Sequence, residues 1–280
     1  MGFQASRRQL YVAETLLAMR TTAGLSLQAV AQVTGISASK ISRIENAANK
    51  ASSKDVRALA KHYGADSALI EKLCEAARDS VTDTWWTRYD RFLTASYVNF
   101  LVTENEARTA WSLQPMFVPG MLQARPYIEA ILSTGPTLDP DRADAEVEVR
   151  LHRQTRLTEP EPLVYHAIIG QPVLHWEFGG PDILRAQLRH FREIADLPNV
   201  CIQVIPFERP TTVYSIDLFE FEPGDPPVCF DETQWGTPLH DDPLEVRQAQ
   251  RRLAHAQTVA LSEVESKQFI EQRMREAESK

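Results

Sequence analysis

The chain predicts two fold classes in succession: an α-helical amino-terminal helix-turn-helix domain of five helices, then a carboxy-terminal α+β domain with a small sheet of about four strands. Three observations carry this. Residues 1–80 keep helical apolar spacing, with Ser, Asp and Gly at the segment ends and no strand signal between them. Beyond residue 160, runs rich in β-branched and aromatic residues alternate with turn residues. The length, 280 residues and 31.6 kDa, suits two domains of roughly 100–200 residues each. Hydrophobic content of 43% supports ordinary packed cores. The divisions read from the pattern are 1–80, a linker over 81–91, and 92–280.

In order, helix one is expected over about 6–22, with Leu10, Ala13, Leu16, Leu17 and Arg20 at helical spacing and Gly24 as its stop. Ser26 caps a second helix ending near Thr34, and Ser37 caps a third over about 38–47. Ser52 or Ser53 opens a fourth, whose apolar side is Val56, Leu59, Ala60 and Tyr63, and Gly64 ends it. Asp66 caps a fifth through about Ser80.

Residues 81–91, VTDTWWTRYDR, mark the change of domain. Two adjacent tryptophans suit one ring packed into each neighbouring domain better than a ligand shelf. A helix is expected over about 90–113 with Phe92, Ala95, Phe100, Ala107 and Trp111 inward, then a Pro119-Gly120 turn and a helix opened by Pro126. A long helix follows at about 140–158. Strands are expected at 163–170, 199–207, 215–223 and 227–233, with a helix at about 181–196 between the first two. The last two strands read as a hairpin-like pair. Helices fill about 243–277, broken where Ser262 and Glu265 form a capping box.

The sharpest motif is 27–46, LQAVAQVTGISASKISRIEN. Small Ala31 permits a close helix crossing, and Gly35 supplies the positive φ of the turn. Val30, Ile36, Ile41 and Ile44 face inward, while Ala38, Ser39, Lys40, Ser42 and Arg43 leave a small, polar, cationic front. Such a helix fits a DNA major groove. The net charge of −8 divides in the same sense. Residues 1–63 carry nine basic side chains (Arg7, Arg8, Arg20, Lys40, Arg43, Lys50, Lys54, Arg57, Lys61) against Glu14, Glu45 and Asp55, an excess of six, so the remainder carries fourteen net negative charges.

Enzymatic signatures are absent from the sequence: no G-x-S-x-G, P-loop, H-E-x-x-H or G-x-G-x-x-G. Gly35-Ile36-Ser37 lacks the second glycine of a nucleophile elbow. His175 and Glu177 read as a surface pair on an extended segment, and His240-Asp241-Asp242 as a solvated loop and not a metal site. Cys201 and Cys229 read as small buried hydrophobes, and with Cys74 they give an odd, widely spaced set that suits a reducing compartment. No metal and no cofactor is expected. Trp85, Trp86, Trp111, Trp176 and Trp235, with Phe92, Tyr97 and Phe117, could form core, a protein interface or a small-ligand pocket. No apolar run is long enough to span a membrane. The amino terminus lacks signal-peptide features, and the myristoylation pattern at Gly2 carries little weight before a segment that reads as folded helix, so a cytoplasmic location is expected.

Residues 27–46 and the flanking helices resemble the Xre family of repressors, related to phage repressor and Cro, in the spacing of Ala31, Gly35, Ile41 and Ile44 and the run Ser42-Arg43-Ile44-Glu45. The chain departs in having Leu27 before Gln28, and Ala47 where the family often has glycine, so helix three is expected to run longer. The remainder resembles the actinobacterial branch of these regulators, described as antitoxin-like. The residues carrying this are Glu104, Ala107, VPGMLQARPY (118–127), Arg150-x-x-Arg153-Gln154, PNVCIQVIPF (198–207) and LFEF (218–221). Its first strand ends Ile169-Gly170-Gln171, where such proteins tend to have an acidic pair. The resemblance implies a small partner protein encoded nearby and a role in development or secondary metabolism.

The expected activity is sequence-specific DNA binding by a transcriptional regulator, as a homodimer reading two half-sites about 34 Å apart. Ser39, Lys40 and Arg43 are the candidates for base edges, and Gln28, Ser37, Ser42, Asn49 and Lys50 for phosphates. The alternative is an antitoxin that mainly masks a small partner protein, with DNA binding secondary. A ligand-processing enzyme is disfavoured by the missing catalytic constellation.

Overall fold

A computed structural model describes residues 7–49, 51–79, 85–89, 91–134, 139–209, 214–233 and 236–279. The chain divides into two compact units, Met1–Thr87 and Arg88–Lys280.

The first unit is helical: α1 (Arg7–Thr22), α2 (Leu27–Thr34), α3 (Ala38–Glu45), α4 (Ser53–His62) and α5 (Ser67–Asp79). Their ends are set locally. Ser26, Ser37 and Ser52 each accept a backbone N–H three residues on, and Asp66 Oδ1 accepts from Leu69 N at 2.8 Å. One core gathers Val12 and Leu16, Val30, Ile41 and Ile44, Val56 and Leu59, and Leu73 and Cys74 from the five helices.

The expected longer third helix is corrected: α3 stops at Glu45. Ala47 sits at φ +50, the left-handed conformation that a glycine would adopt without penalty. That turn lets Ala48 N and Asn49 N both reach Arg43 O, at 2.8 and 3.1 Å, which closes the helix. Ala47→Gly is therefore expected to stabilise this unit by about 0.5–1 kcal/mol, the left-handed penalty of roughly 1–2 kcal/mol less the greater unfolded freedom of glycine. A small rise in the melting temperature checks it; a fall would contradict the strain argument.

The second unit is a mixed six-stranded sheet with helices on both faces. Its elements are α6 (Ala95–Glu106), β1 (Thr109–Gln114), α7 (Arg125–Thr134), α8 (Pro140–Gln154), β2 (Val164–Gly170), α9 (Pro181–Ile194), β3 (Val200–Ile205), β4 (Ile216–Glu220), β5 (Val228–Asp231), β6 (Leu239–His240), α10 (Pro243–Val259) and α11 (Glu263–Glu278). The order is β3-β2-β1-β4-β5-β6. β1, β2 and β3 run parallel, and β4, β5 and β6 continue as an antiparallel meander from β1.

Six strands replace the expected four. The helix expected to reach residue 113 ends at Glu106, where Ala107 turns to extended backbone and Arg108 N bonds Glu220 O at 2.9 Å. Residues 109–114 then form the central strand β1, and the strand at 164–170 is the second, not the first. β6 is only two residues long. His240 lies in β6, with its ring nitrogens 3.2 Å from Asp231 and 3.1 Å from Glu245, so it is not part of a solvated loop. His175 follows a 3-10 turn (Gln171–Leu174), which removes the extended segment expected there. Cys201 is half-buried whereas Cys229 is buried.

Alternation along the strands sorts the two faces. Ala110, Tyr165, Ala167, Ile169, Ile202 and Phe219 share a core with residues of α6, α7, α9 and α11. Leu113, Ile168, Ile216, Leu218 and Cys229 pack on Val246, Ala249 and Leu253 of α10. The outer edge of β3 is occupied: Leu261 N donates to Val204 O at 2.8 Å, and Ser266 Oγ accepts from Val204 N at 3.0 Å. The Ser262–Glu265 capping box opens α11 there.

A buried polar cluster fixes the segment after β1. Arg153 Nε and NH2 each reach a Glu104 oxygen at 2.7 Å, and NH1 donates to Tyr97 Oη at 3.1 Å. Burial alone would lower the guanidinium pKa; the charge of Glu104, the neighbouring Tyr97 and the hydrogen bonds to both together outweigh it, and the pKa is raised. Gln154 Nε2 donates to Gly120 O and Gln123 O, at 3.0 and 2.8 Å. Gln187 accepts from Ala124 N and donates to Leu122 O, at 2.8 and 2.7 Å. The segment 118–124 is thereby held by side chains of α8 and α9.

Candidate nucleic-acid interface

The site is built on α2, a tight turn and α3. Gly35, at φ +72, ends α2 and donates its N–H to Ala31 O at 3.0 Å. No L side chain is comfortable there. Ser37 then adopts extended backbone, and its Oγ accepts from Lys40 N at 3.3 Å. Ile41 and Ile44 are buried on the inner side of α3.

Outward, Ser39, Lys40 and Arg43 are exposed and Ser42 is half-exposed. Arg43 NH2 lies 3.3 Å from Ser39 Oγ one turn earlier, so two base-edge candidates form one polar ridge. Lys40 leans the other way. Its Nζ is 2.8 Å from Asp55 Oδ2 in the first turn of α4. Burial pushes the Asp55 pKa up, but hydrogen bonds from Lys40 and Ser52 outweigh it and leave the pKa lowered.

Among the phosphate candidates, Gln28 and Ser37 are exposed, and Asn49 is half-buried with its N–H on Arg43 O. The Ser37 hydroxyl is already used as the helix cap. Lys50 lies outside the described residues. Arg57, counted in the basic excess, is held by Glu71 at 2.6 and 3.0 Å.

Two features escape sequence reading. Glu45, the last residue of α3, is 3% exposed, and both its oxygens accept from Arg20 Nε, at 2.9 and 2.8 Å. Tyr63 Oη donates to Glu45 Oε1 at 2.9 Å, and Arg20 NH1 donates to Leu25 O at 2.8 Å. This cluster ties α3 to α1 and to the end of α4. Burial first, then the bond to Glu45, raises the Tyr63 pKa, so its hydroxyl keeps the proton that it donates. Helical spacing points Arg20 inward, but its partner lies 25 residues away, beyond any local pattern. The second missed residue is Asn46, exposed past the end of α3, with Nδ2 on Ser42 O at 2.8 Å.

A glycine-turned pair of helices with a buried seam and an open cationic face defines a helix-turn-helix DNA-binding domain, and the family model described as helix-turn-helix domain matches residues 12–73. The chain as a whole belongs to the family described as domain of unknown function (DUF5753), whose model matches residues 97–272. No curated protein and no solved structure matches the chain.

Proposed function

We propose that the protein is a sequence-specific transcriptional regulator that lays α3 in the DNA major groove, acts by binding and not by catalysis, and works in the cytoplasm. The observation that carries this is the two-sidedness of α3: Ile41 and Ile44 are buried, while Ser39 and Arg43 stand joined on the open side. In this reading Arg43 contacts a guanine edge with Ser39 beside it. Lys40 is the weaker base-edge candidate, because Asp55 must first release it. Gln28, Ser37, Ser42, Asn49, Asn46 and Lys50 hold the backbone and fix the register.

One such module reads few base pairs, so we infer a homodimer on two half-sites, with the second unit joining the copies. We further propose an antitoxin-like role of the Xre type, in which a small partner protein engages the second unit; what supports it is the resemblance carried by the helix-turn-helix and by residues 118–127, 198–207 and 218–221. Arg43→Ala is expected to cost roughly 1–3 kcal/mol on the specific site and to leave scrambled DNA almost unaffected. Gel-shift titration at fixed salt on DNA selected by the purified protein measures both. Equal losses on both sequences would remove Arg43 from base readout, and no duplex binding at low ionic strength would end the proposal.

A further inference from the structure

The second unit contains a cavity of about 400 Å³, within the range of small-molecule sites. It lies at one end of the sheet. Gln114 closes the carboxyl end of β1, and Glu232 follows β5, which runs in the same direction as β1 because both are antiparallel to β4. Asp217, near the start of β4, pairs with Ser112 across the ladder at the same end. The strand order reverses at β1, with β2 and β3 laid down on one side of it and β4, β5 and β6 on the other. In open α/β sheets, the carboxyl ends of strands at such a switch are the usual place for a ligand.

The lining has two characters. Tyr97, Phe100, Phe117, Phe178, Phe219 and Ile131 form an apolar, mainly aromatic part. Opposed to it are polar groups that the fold leaves uncompensated. Gln123 is 6% exposed; its Nε2 donates to Val118 O at 2.8 Å, which fixes the amide and leaves Oε1 without a partner. Gln114, 4% exposed, also has an unpartnered Oε1. Native folds seldom bury acceptors in this state, since each costs about 1–3 kcal/mol.

The charged lining is mixed, with Arg150 and Arg153 beside Glu104, Asp217 and Glu232. Arg153 is spent on Glu104, and Arg150 faces Glu146 at 3.8 Å with its NH1 unpartnered. Asp217 and Glu232 also line the cavity. Burial first, with Glu232 and Glu104, raises the Asp217 pKa, Ser112 and Arg153 hold it back, and the balance is pushed up to about 7. Asp217 is therefore an enclosed acid that a cation would stabilise. Aromatic faces beside it add attraction for a positive charge.

We propose that this cavity is a binding site for a small amphipathic amine, with its apolar ring against Phe100, Phe117 and Phe178 and its protonated nitrogen and other N–H groups on Asp217 and the Gln114 and Gln123 carbonyls. Arg150 is placed to meet a hydrogen-bond acceptor on the same ligand. The inference concerns the second unit alone and does not depend on the DNA-binding reading.

The test titrates the full chain, without DNA, with dansylcadaverine, an amine whose fluorescence rises in apolar surroundings, and with the acid dansylglycine as its charge-reversed counterpart. Tryptamine, whose indole is not excited at the wavelength used for the dansyl group, serves as a competitor. Saturable binding of the amine, displaced by tryptamine, is expected, with the acid at least about tenfold weaker. Asp217→Asn, nearly isosteric, is expected to weaken the amine by about tenfold or more and to leave the acid no weaker. Ile131→Trp, which fills the apolar part, is expected to abolish binding, and a cooperative melt shows that each variant is folded. Equal affinity for amine and acid, wild-type affinity in Asp217→Asn or in folded Ile131→Trp, or no saturable binding of either amine overturns the proposal. None of these outcomes touches the gel-shift result.

Discussion

Glu45→Ala is expected to lower the stability of the amino-terminal unit by about 3–5 kcal/mol, the range for removing one partner of a buried ion pair. The magnitude follows from what is left behind. Arg20, 14% exposed in its side chain, would keep its charge but lose the carboxylate that meets its Nε, and the Tyr63 hydroxyl would lose its acceptor in the same step. The attachment of α3 to α1 and α4 would loosen, so DNA affinity should fall although Glu45 lies on the buried side of α3. Amide hydrogen exchange over α1–α5 in the full chain reads the loss without interference from the second unit. Arg20→Leu combined with Glu45→Leu should recover much of it, because an apolar pair leaves no orphaned charge. A loss below about 1 kcal/mol in Glu45→Ala would put the cluster on a par with a surface ion pair and refute the structural role given to it.

Gly170→Ala is expected to cost about 3 kcal/mol or more in the second unit, the upper end of overpacking penalties. The cause is not backbone conformation, since Gly170 has φ −74. It is proximity: a Cβ at Gly170 would lie 2.2 Å from Pro115 O and 3.0 Å from Pro115 C. Retreat is resisted because Ile169 pairs with Gln114 of β1 and Gly170 pairs with Ile205 of β3, which holds β2 between two strands. Gly120→Ala is the contrast. There the obstruction is Arg153 NH1 at 2.9 Å, the end of a long side chain, so the cost should be smaller. Urea unfolding of both variants, with the second unit followed by amide exchange, orders them. Equal costs would show that the β1–β2 approach yields as readily as a side chain.

The two units were unequally legible, and the difference is physical. Helix ends in the first unit are written in adjacent residues: Ser26, Ser37 and Ser52 cap, and Gly35 and Gly64 turn. The buried and open sides of α3 are legible for the same reason, because they alternate within eight residues. Strand β1 was hidden. Its cavity side carries Ser112 and Gln114 in place of apolar residues, and with Ala110 and Trp111 the segment reads as the tail of α6. Only its neighbours β2 and β4, more than fifty residues further on, make it a strand.

The ligand site was obscured likewise. Of the aromatic residues first considered for a pocket, Tyr97 and Phe117 line the cavity, whereas Trp111 stacks on His166, 4.0 Å between ring centres, and Trp176 stands edge-on to Phe117 and Phe178. Trp235 lies outside the described residues. The polar lining comes from positions as far apart as Gln114 and Asp217, joined only by strand order.

The seal along β3 bears on how two copies can meet. A foreign strand seeking that flank would find the Val204 amide and carbonyl engaged by Ser266 and Leu261, so α11 would have to peel away before recruitment began. Growth of a continuous intermolecular ribbon from this side, and the fibrous aggregation that can follow it, is thereby obstructed. Any pairing of copies would have to use side-chain surfaces or the two-residue strand β6 at the opposite edge.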